Sequence, residues 1–421
     1  MAIFNSLGSN YNFGFTLRSL LTGNNSQHRL ELTKFLEEKY NGQAFLTYKG
    51  RDALRLALRV IDKKDEYIVG ICGFTCYAVY KAVVDEGYKV AYLDIDKSLN
   101  FSFEALVEAK KKNPDMKVLI VQNTLGFPCN MQKIASFCKK KDIILIEDLA
   151  HSIGAEYSEK TEAGCVGDFN ALSFSQDKMV DGVSGGALVL RNKELRTKNL
   201  EQKFQEISWG MQLQDRFYPL LTFLIRKTYG ARIPFAPFNK GGWGISVGKV
   251  LHAVFKKLNL LSMPMGNLQN DIYGLPNWYC GLILLQFNNL EKDLAHRKRI
   301  ASVYAKKINK DVLSSILDKQ IAFSSNLRFP IFLQEREGLI AFLKSKKIFV
   351  SDIWYDAPIA PKRYLQMTDY KNQCPNAEKV SQEILNLPTH RNVSDQDAEF
   401  IVEKVNELSN TYDKNNSKIN R

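Results

Sequence analysis

A chain of 421 residues is too long for one small core and suits two domains. Its 45% apolar and 24% charged content is ordinary for a soluble globular protein, and no run of about 18 apolar residues offers a membrane-spanning helix. The net charge of +13 suits phosphorylated substrates, nucleic acid or an anionic membrane, or simply reflects a lysine-rich composition. Seven cysteines, at 72, 76, 129, 138, 165, 280 and 374, are odd in number and include no CxxC. That pattern argues against a disulfide framework or a zinc site and for a reducing cytosol. The first residues, MAIFNSLGSNYNFGF, lack the basic and long apolar regions of a signal peptide, so none is expected.

Residues 26–40 read as a helix with Leu30, Leu32, Phe35 and Leu36 as its apolar stripe. Gly50-Arg51-Asp52 opens an amphipathic helix over 53–61. A glycine at a helix start leaves N–H groups at the positive dipole end, which suits a phosphate. The alternative there is a plain turn capped by Asp52. Strands are expected at 67–72, 90–95, 118–122 and 143–146, alternating with helices at 75–86, 103–112 and 131–140. This alternation predicts an α/β fold with a mostly parallel central sheet covered on both faces. Ligands of such sheets bind beyond the carboxyl ends of the strands, where Asn123, Asp148 and Lys178 are expected to converge.

The stretch 141–190 carries the most chemistry. The apolar run 143–146 ends in Glu147-Asp148. A second run, 169–174, leads into Ser175, Gln176, Asp177 and Lys178, and Gly185-Gly186 opens a third. An electrophilic cofactor held by a lysine Schiff base, with an acid on its ring nitrogen, needs such a lysine and acid. Residues 191–262 read as an insertion. Its apolar stretches, FYPLLTFLI at 217–225 and RIPFAPF at 232–238, are expected to pack on the core or a partner subunit. Membrane contact through 217–238 is the less favoured alternative. From 263 a second α/β region follows, with a helix at 280–289 continuing to 304, a strand at 327–333, a helix at 338–346 and a strand at 348–353. A terminal helix over 394–408 is capped by Ser394. The expected division is a large domain over 1–262, a small one over 263–409, and a polar frayed tail over 410–421.

Two motifs resemble those of a known family. Glu147-Asp148-Leu149-Ala150-His151-Ser152-Ile153-Gly154-Ala155 is similar to its EDAAQ/H-x-x-GA, and Ser173-Phe174-x-x-x-Lys178 to its SFxxxK. Gly185-Gly186 fall at the family's spacing after the lysine; Gly167-Asp168, Asp94-Ile95-Asp96 and Leu387-Pro388 are supporting matches. The chain thus resembles the DegT/DnrJ/EryC1/StrS sugar aminotransferases, closely over 45–190 and more loosely over 270–408. The resemblance implies a fold type I PLP-dependent transferase using pyridoxal 5'-phosphate. By likeness, Lys178 would hold the cofactor and shuttle the proton between the substrate carbon and C4′. Asp148 would pair with the pyridinium nitrogen, and His151 would lie near the phenolic oxygen. Ser173 would bond the phosphate, and Gly50 and Arg51 correspond to the family's Gly-Thr at the phosphate-binding helix start.

There are departures. Arg51 stands where threonine is usual, so backbone N–H groups or its guanidinium would compensate. Cys76 stands where many members carry the ring-stacking aromatic, leaving Phe74 or Tyr77 as candidates. Asn270 and Asn277 are candidates for the asparagine that the family takes from the partner subunit. Lys178 also separates this chain from dehydratase relatives, which carry histidine there. The implied function is amino transfer, from L-glutamate to a nucleotide-linked keto sugar, in surface-polysaccharide or amino-sugar biosynthesis. A cytoplasmic homodimer with no nucleic-acid partner and no metal is implied. The alternatives are a PLP-dependent sugar dehydratase, a non-sugar aminotransferase, or a non-catalytic family member. Trp354 and Tyr355, placed after a strand of the small domain, are substrate-contact candidates outside the catalytic set.

Overall fold

Seven short runs of mainly apolar residues pair into one central sheet in the computed structural model, which describes residues 2–61, 67–157, 160–195, 204–233, 245–263, 271–334, 336–350 and 354–419. The strands are β1 (Gln43–Thr47), β2 (Ile68–Cys72), β3 (Lys89–Leu93), β4 (Met116–Gln122), β5 (Ile144–Asp148), β6 (Phe169–Ser173) and β7 (Gly186–Leu190). Their order is β1-β7-β6-β5-β4-β2-β3. Strands β2 to β6 pair in parallel, whereas β7 is antiparallel to both β6 and β1. The sheet is therefore mostly parallel, as the α/β alternation predicts.

Helices cover both faces, which is why β6 and β7 are buried along their whole length. The helices are α1 (Phe13–Leu21), α2 (Ser26–Tyr40), α3 (Gly50–Val60), α4 (Tyr77–Asp85), α5 (Phe103–Lys112), α6 (Met131–Lys140), α7 (Trp209–Thr228), α8 (Val247–Lys257), α9 (Asn277–Phe287) and α10 (Leu290–Lys307). Strand alternation splits the interior in two. Val118 and Ile120 of β4 join the core under α3 and α4, while Leu119 and Val121 join the one under α2, α5 and α6. Helix α2 starts at Asn25, whose Oδ1 accepts from Gln27 N at 3.0 Å, and stops at Asn41 in the left-handed region, φ 50°. It buries Leu32, Leu36 and Tyr40, one line at four-residue spacing. Leu30, expected in that stripe, is 63% exposed.

A third core holds Ile300 and Tyr304 of α10, the antiparallel pair Phe329–Phe332 and Ile384–Leu387, and the terminal helix Asp395–Ile419. Ile3 joins it, because Ile3–Phe4 pairs in parallel with Ile348–Phe349. Some boundaries differ from the sequence pattern. The helix expected at 75–86 begins at Tyr77, because Thr75–Cys76 pairs as a short strand with Ile359–Ala360. The helix expected to run from 280 to 304 is two helices that meet at Asn288-Asn289. The last helix continues to Ile419 rather than fraying from 410, since no glycine or proline interrupts it. Of the strand expected at 348–353, Ile348–Phe349 pairs, and 351–353 lie outside the described residues.

The segment expected to be an insertion packs on protein along one face and exposes apolar residues on the other, among them Trp209, Val254 and Leu258. Tyr218, Thr222 and Ile225 of α7 are buried, and Arg226 donates to Tyr11 O at 2.7 Å. Asp215 accepts from Tyr48 at 2.8 Å and Tyr279 at 2.7 Å, which ties α7 to the end of β1 and to α9. Helix α8 packs through Gly248, where a Cβ would meet Ile225 O at 2.4 Å. Phe217 and Leu224 stay exposed, and residues 234–238 lie outside the described residues. Among the described residues no helix is long and apolar enough to cross a membrane.

Candidate active site

The carboxyl ends of β4, β5 and β6 open into a cavity of about 520 Å³. Such a volume matches ligand sites generally. Asp148 is the last residue of β5, in register with Gln122 of β4, and both line the cavity. Glu147, one residue back, points to the opposite face. Its carboxylate accepts from Tyr157 Oη, Gly164 N and Val166 N, each at 2.8 Å, and from Gly167 N at 2.5 Å. Adjacent acids thus have separate tasks, one organising a loop and one facing the cavity. Asp148 is 4% exposed and accepts from Ala150 N at 2.9 Å. Burial raises its carboxyl above the ordinary range, opposed by that N–H and by Lys178.

Ser173 ends β6, and the chain then crosses to β7 through the loop that carries Lys178. The Lys178 Nζ lies 4.5 Å from the centre of the Trp354 ring. Burial lowers its pKa from the ordinary lysine value, opposed by Cys76, Asp148 and Asp177. The amino-terminal segment clasps this loop. Asn10 donates to Lys178 O at 3.2 Å and to Asp181 at 3.1 Å, and Tyr11 Oη donates to Asp181 at 2.7 Å. The backbone N–H of Asp177 donates to the same carboxylate at 2.8 Å.

Helix α3 begins beside Ser173. A Cβ on Gly50 would lie 2.5 Å from Ser173 Cβ and 2.8 Å from its Oγ, so only glycine brings the helix start this close. Lys49, in extended backbone, is the N-cap and makes no side-chain cap bond; the Asp52 carboxylate in the first turn accepts from the Lys49 backbone N–H instead. Gly50, Arg51 and Ser173 all line the cavity, giving a helix N-terminus, a guanidinium and a hydroxyl at one place.

His151 is buried, and its Nδ1 accepts from Leu125 N at 3.3 Å and lies 3.3 Å from Tyr355 Oη. Burial holds its pKa well below the ordinary value, with Lys178 and Arg328 adding to the shift, so the ring is neutral. It stacks on Trp354, centroids 5.2 Å apart at 18°. Trp354 thereby carries both His151 and the Lys178 amine. Tyr355 is fixed by Gln122 Nε2, which donates to its Oη at 2.9 Å.

Of the residues expected at the site, Asp148, Lys178, His151, Ser173, Gly50 and Arg51 line one cavity. Asn123 does not. Its amide donates to Tyr157 at 3.0 Å and Ser152 at 3.3 Å, and the preceding residue, Gln122, takes the cavity position. Neither aromatic candidate lines it: Phe74 stacks on Tyr355 at 4.5 Å, and Tyr77 on Tyr364 at 4.8 Å. Cys76 does line it, and burial pushes its thiol up. Asn277 accepts from Arg29 Nε of its own chain at 2.9 Å, and Asn270 lies outside the described residues. Tyr218, His252, Lys256 and Arg363 also line the cavity. No local motif marks them, because they arrive from remote segments.

These groups fit pyridoxal phosphate. A buried acid ends a strand, a lysine stands in the next loop, and a glycine holds a helix start against a serine. The model of the DegT/DnrJ/EryC1/StrS aminotransferase family matches residues 19–219 and 267–406. Aminotransferases of that family depend on pyridoxal phosphate. Among similar proteins, the UDP-4-amino-4,6-dideoxy-N-acetyl-beta-L-altrosamine transaminase of Campylobacter jejuni subsp. jejuni serotype O:23/36 (strain 81-176) is 26% identical over 397 residues, covering 91% of this chain and 89% of that one. The dTDP-4-amino-4,6-dideoxy-D-glucose transaminase of Shigella dysenteriae is 27% identical over 405 residues, covering 92% and 91%. Among solved structures, the PLP form of the putative sugar aminotransferase Spr1654 from Streptococcus pneumoniae superposes with a TM-score of 0.67 at 16% identity, covering 98% of this chain and 99% of that one. That likeness shows the fold, fold type I.

Proposed function

The chain belongs to the DegT/DnrJ/EryC1/StrS aminotransferase family, and from that premise we propose that it moves an amino group from L-glutamate to a nucleotide-linked keto sugar, with pyridoxal phosphate held at Lys178. Membership makes it an enzyme, an aminotransferase; donor, acceptor and site roles are the proposal. One observation carries it: Lys178 and Asp148 line the same cavity as the Gly50–Ser173 cradle. The names of its relatives support a UDP- or dTDP-linked sugar.

Bound there, pyridoxal phosphate supplies an electron sink that acidifies the C–H beside the transferred nitrogen. Lys178 takes that proton and returns it, which needs a neutral amine, and burial lowers its pKa in that direction. Asp148 keeps the ring nitrogen protonated as the negative partner of an ion pair. Because Nδ1 of neutral His151 accepts from Leu125 N, Nε2–H is the donor for the phenolic oxygen. The start of α3, the Arg51 guanidinium and the Ser173 hydroxyl hold the phosphate. The reading also includes a homodimer in the cytoplasm, which suits seven free cysteines.

The test uses purified protein loaded with the cofactor. L-glutamate should shift the cofactor's visible absorbance and yield one equivalent of 2-oxoglutarate. UDP-, dTDP- and GDP-linked keto sugars, added next, should give an amino sugar identifiable by mass. No spectral response to any amino donor would overturn the proposal, and a deoxygenated product without nitrogen would replace it with a dehydratase.

A further inference from the structure

The family's model stops at residue 219 and resumes at 267, so α8 belongs to a segment outside the common family pattern. This segment nonetheless forms part of the cavity wall, through His252, Lys256, Asn259, Leu261, Ser262 and Met263. Helical geometry explains which side chains arrive there. His252 and Lys256 are four residues apart and share one face. The adjoining face, Leu251 and Phe255, packs on the core, while Val250, Val254 and Leu258 are exposed on the far side. The helix is fixed at its start. Ser246 Oγ accepts from Lys249 N at 3.3 Å and donates to Tyr229 O at 2.7 Å, and Gly248 sits against Ile225 O. These contacts place the backbone that carries the pair at the cavity wall.

Basic side chains outnumber acidic ones at the cavity wall. Lys49, Arg51, Lys178, Lys256 and Arg363 line the cavity against two carboxylates, Asp148 and Asp177. The charges sort by depth. Asp148 is buried and Arg51 partly so, while Lys256 and Arg363 are exposed. Under the proposed function Asp148, Arg51 and Lys178 are committed to the cofactor and to proton transfer. His252 and Lys256 are not used by it. A sugar that reaches Lys178 must leave its remaining part toward the exposed rim.

We propose that His252 and Lys256 form an anion subsite for the diphosphate of the nucleotide-linked acceptor, making α8 a specificity element of this chain. The inference rests on the proposed function, since the diphosphate is placed by a sugar bound at Lys178. Half-buried His252 supplies a hydrogen bond, and Lys256 a positive charge at the rim. Neither takes part in bond making.

The test is equilibrium binding of UDP, GDP and dTDP, with uridine as the phosphate-free probe, to the cofactor-loaded protein by calorimetry. The diphosphates should bind and uridine bind far more weakly. H252A and K256A should each weaken diphosphate binding about tenfold, the scale of one charge-assisted hydrogen bond. K257A, at an exposed lysine of α8 that does not line the cavity, should leave it unchanged. The glutamate half-reaction, followed by absorbance, should be the same in all variants. Unchanged diphosphate affinity in H252A and K256A, or equal binding of uridine, overturns the inference. So does a rise in the KM for glutamate with diphosphate binding intact, which would assign the pair to the donor's second carboxylate. A protein that binds diphosphates but never responds to glutamate instead sinks the proposed function.

Discussion

Lys178 and Gly50 show how single residues shape this site. The Lys178 amine sits in the cavity over Trp354, where burial makes its charged form costly. Capture of pyridoxal phosphate needs the neutral amine, so its rate in the cofactor-free protein should rise with pH through an apparent pKa below the ordinary lysine value of 10.5. Stopped-flow absorbance across pH measures this, and an inflection at or above the ordinary value would show that burial does not act as argued. K178A should abolish both cofactor attachment and amino transfer, and turnover equal to the unsubstituted protein would end the assignment. Gly50 is a matter of space. A Cβ there meets Ser173 Cβ at 2.5 Å and its backbone Cα at 3.0 Å, so the helix start must retreat. Gly50→Ala should cost about 1–3 kcal/mol of stability, the usual range for overpacking, and weaken cofactor affinity. Denaturant unfolding and cofactor titration test this, and no change in either would mean that the contact is slack.

Elements act through what they hold apart and what they join. Strand β5 puts Glu147 and Asp148 on opposite faces, so one sequence motif serves two structures. The Glu147 carboxylate collects four donors from the segment 157–167, which returns the chain to β6. In E147Q one oxygen becomes an NH2 group facing N–H donors, at a cost of about 1–3 kcal/mol per buried group left unpaired. A fall in the urea midpoint is expected, and an unshifted midpoint would show that the loop finds other partners. The motif around these acids was legible because it is local. The clasp of Asn10 and Tyr11 on the Lys178 loop was not, since its partners are some 170 residues apart and nothing in either segment names the other. The same holds for Thr75–Cys76, whose extended backbone is set by a remote pair, Ile359–Ala360.

At the scale of the whole molecule, two cores sandwich the sheet and a third forms around the carboxyl-terminal elements. The proposed homodimer should elute in light scattering at twice the chain mass of 48.0 kDa. A monomeric mass for active protein would remove it. The insertion changes the reading of the molecule most. Its apolar residues suggested packing or a membrane surface. In the structure Tyr218, Thr222 and Ile225 are covered by protein, while His252 and Lys256 reach the cavity.

The alternation of apolar runs by itself determined the α/β class and the mostly parallel sheet, because strand and helix periods are local and repeat along the chain. The stretch 141–190 likewise determined the acid, the lysine and the glycine pair, since strand ends and the loops after them are contiguous in sequence. Tertiary structure alone decided that Gln122 rather than Asn123 faces the cavity, that Phe74 and Tyr77 belong to the packing, and that Trp354 supports His151 and Lys178. It alone brought α8 to the wall. Those outcomes depend on which distant surfaces bury each other, and burial between remote segments leaves no periodicity in either one.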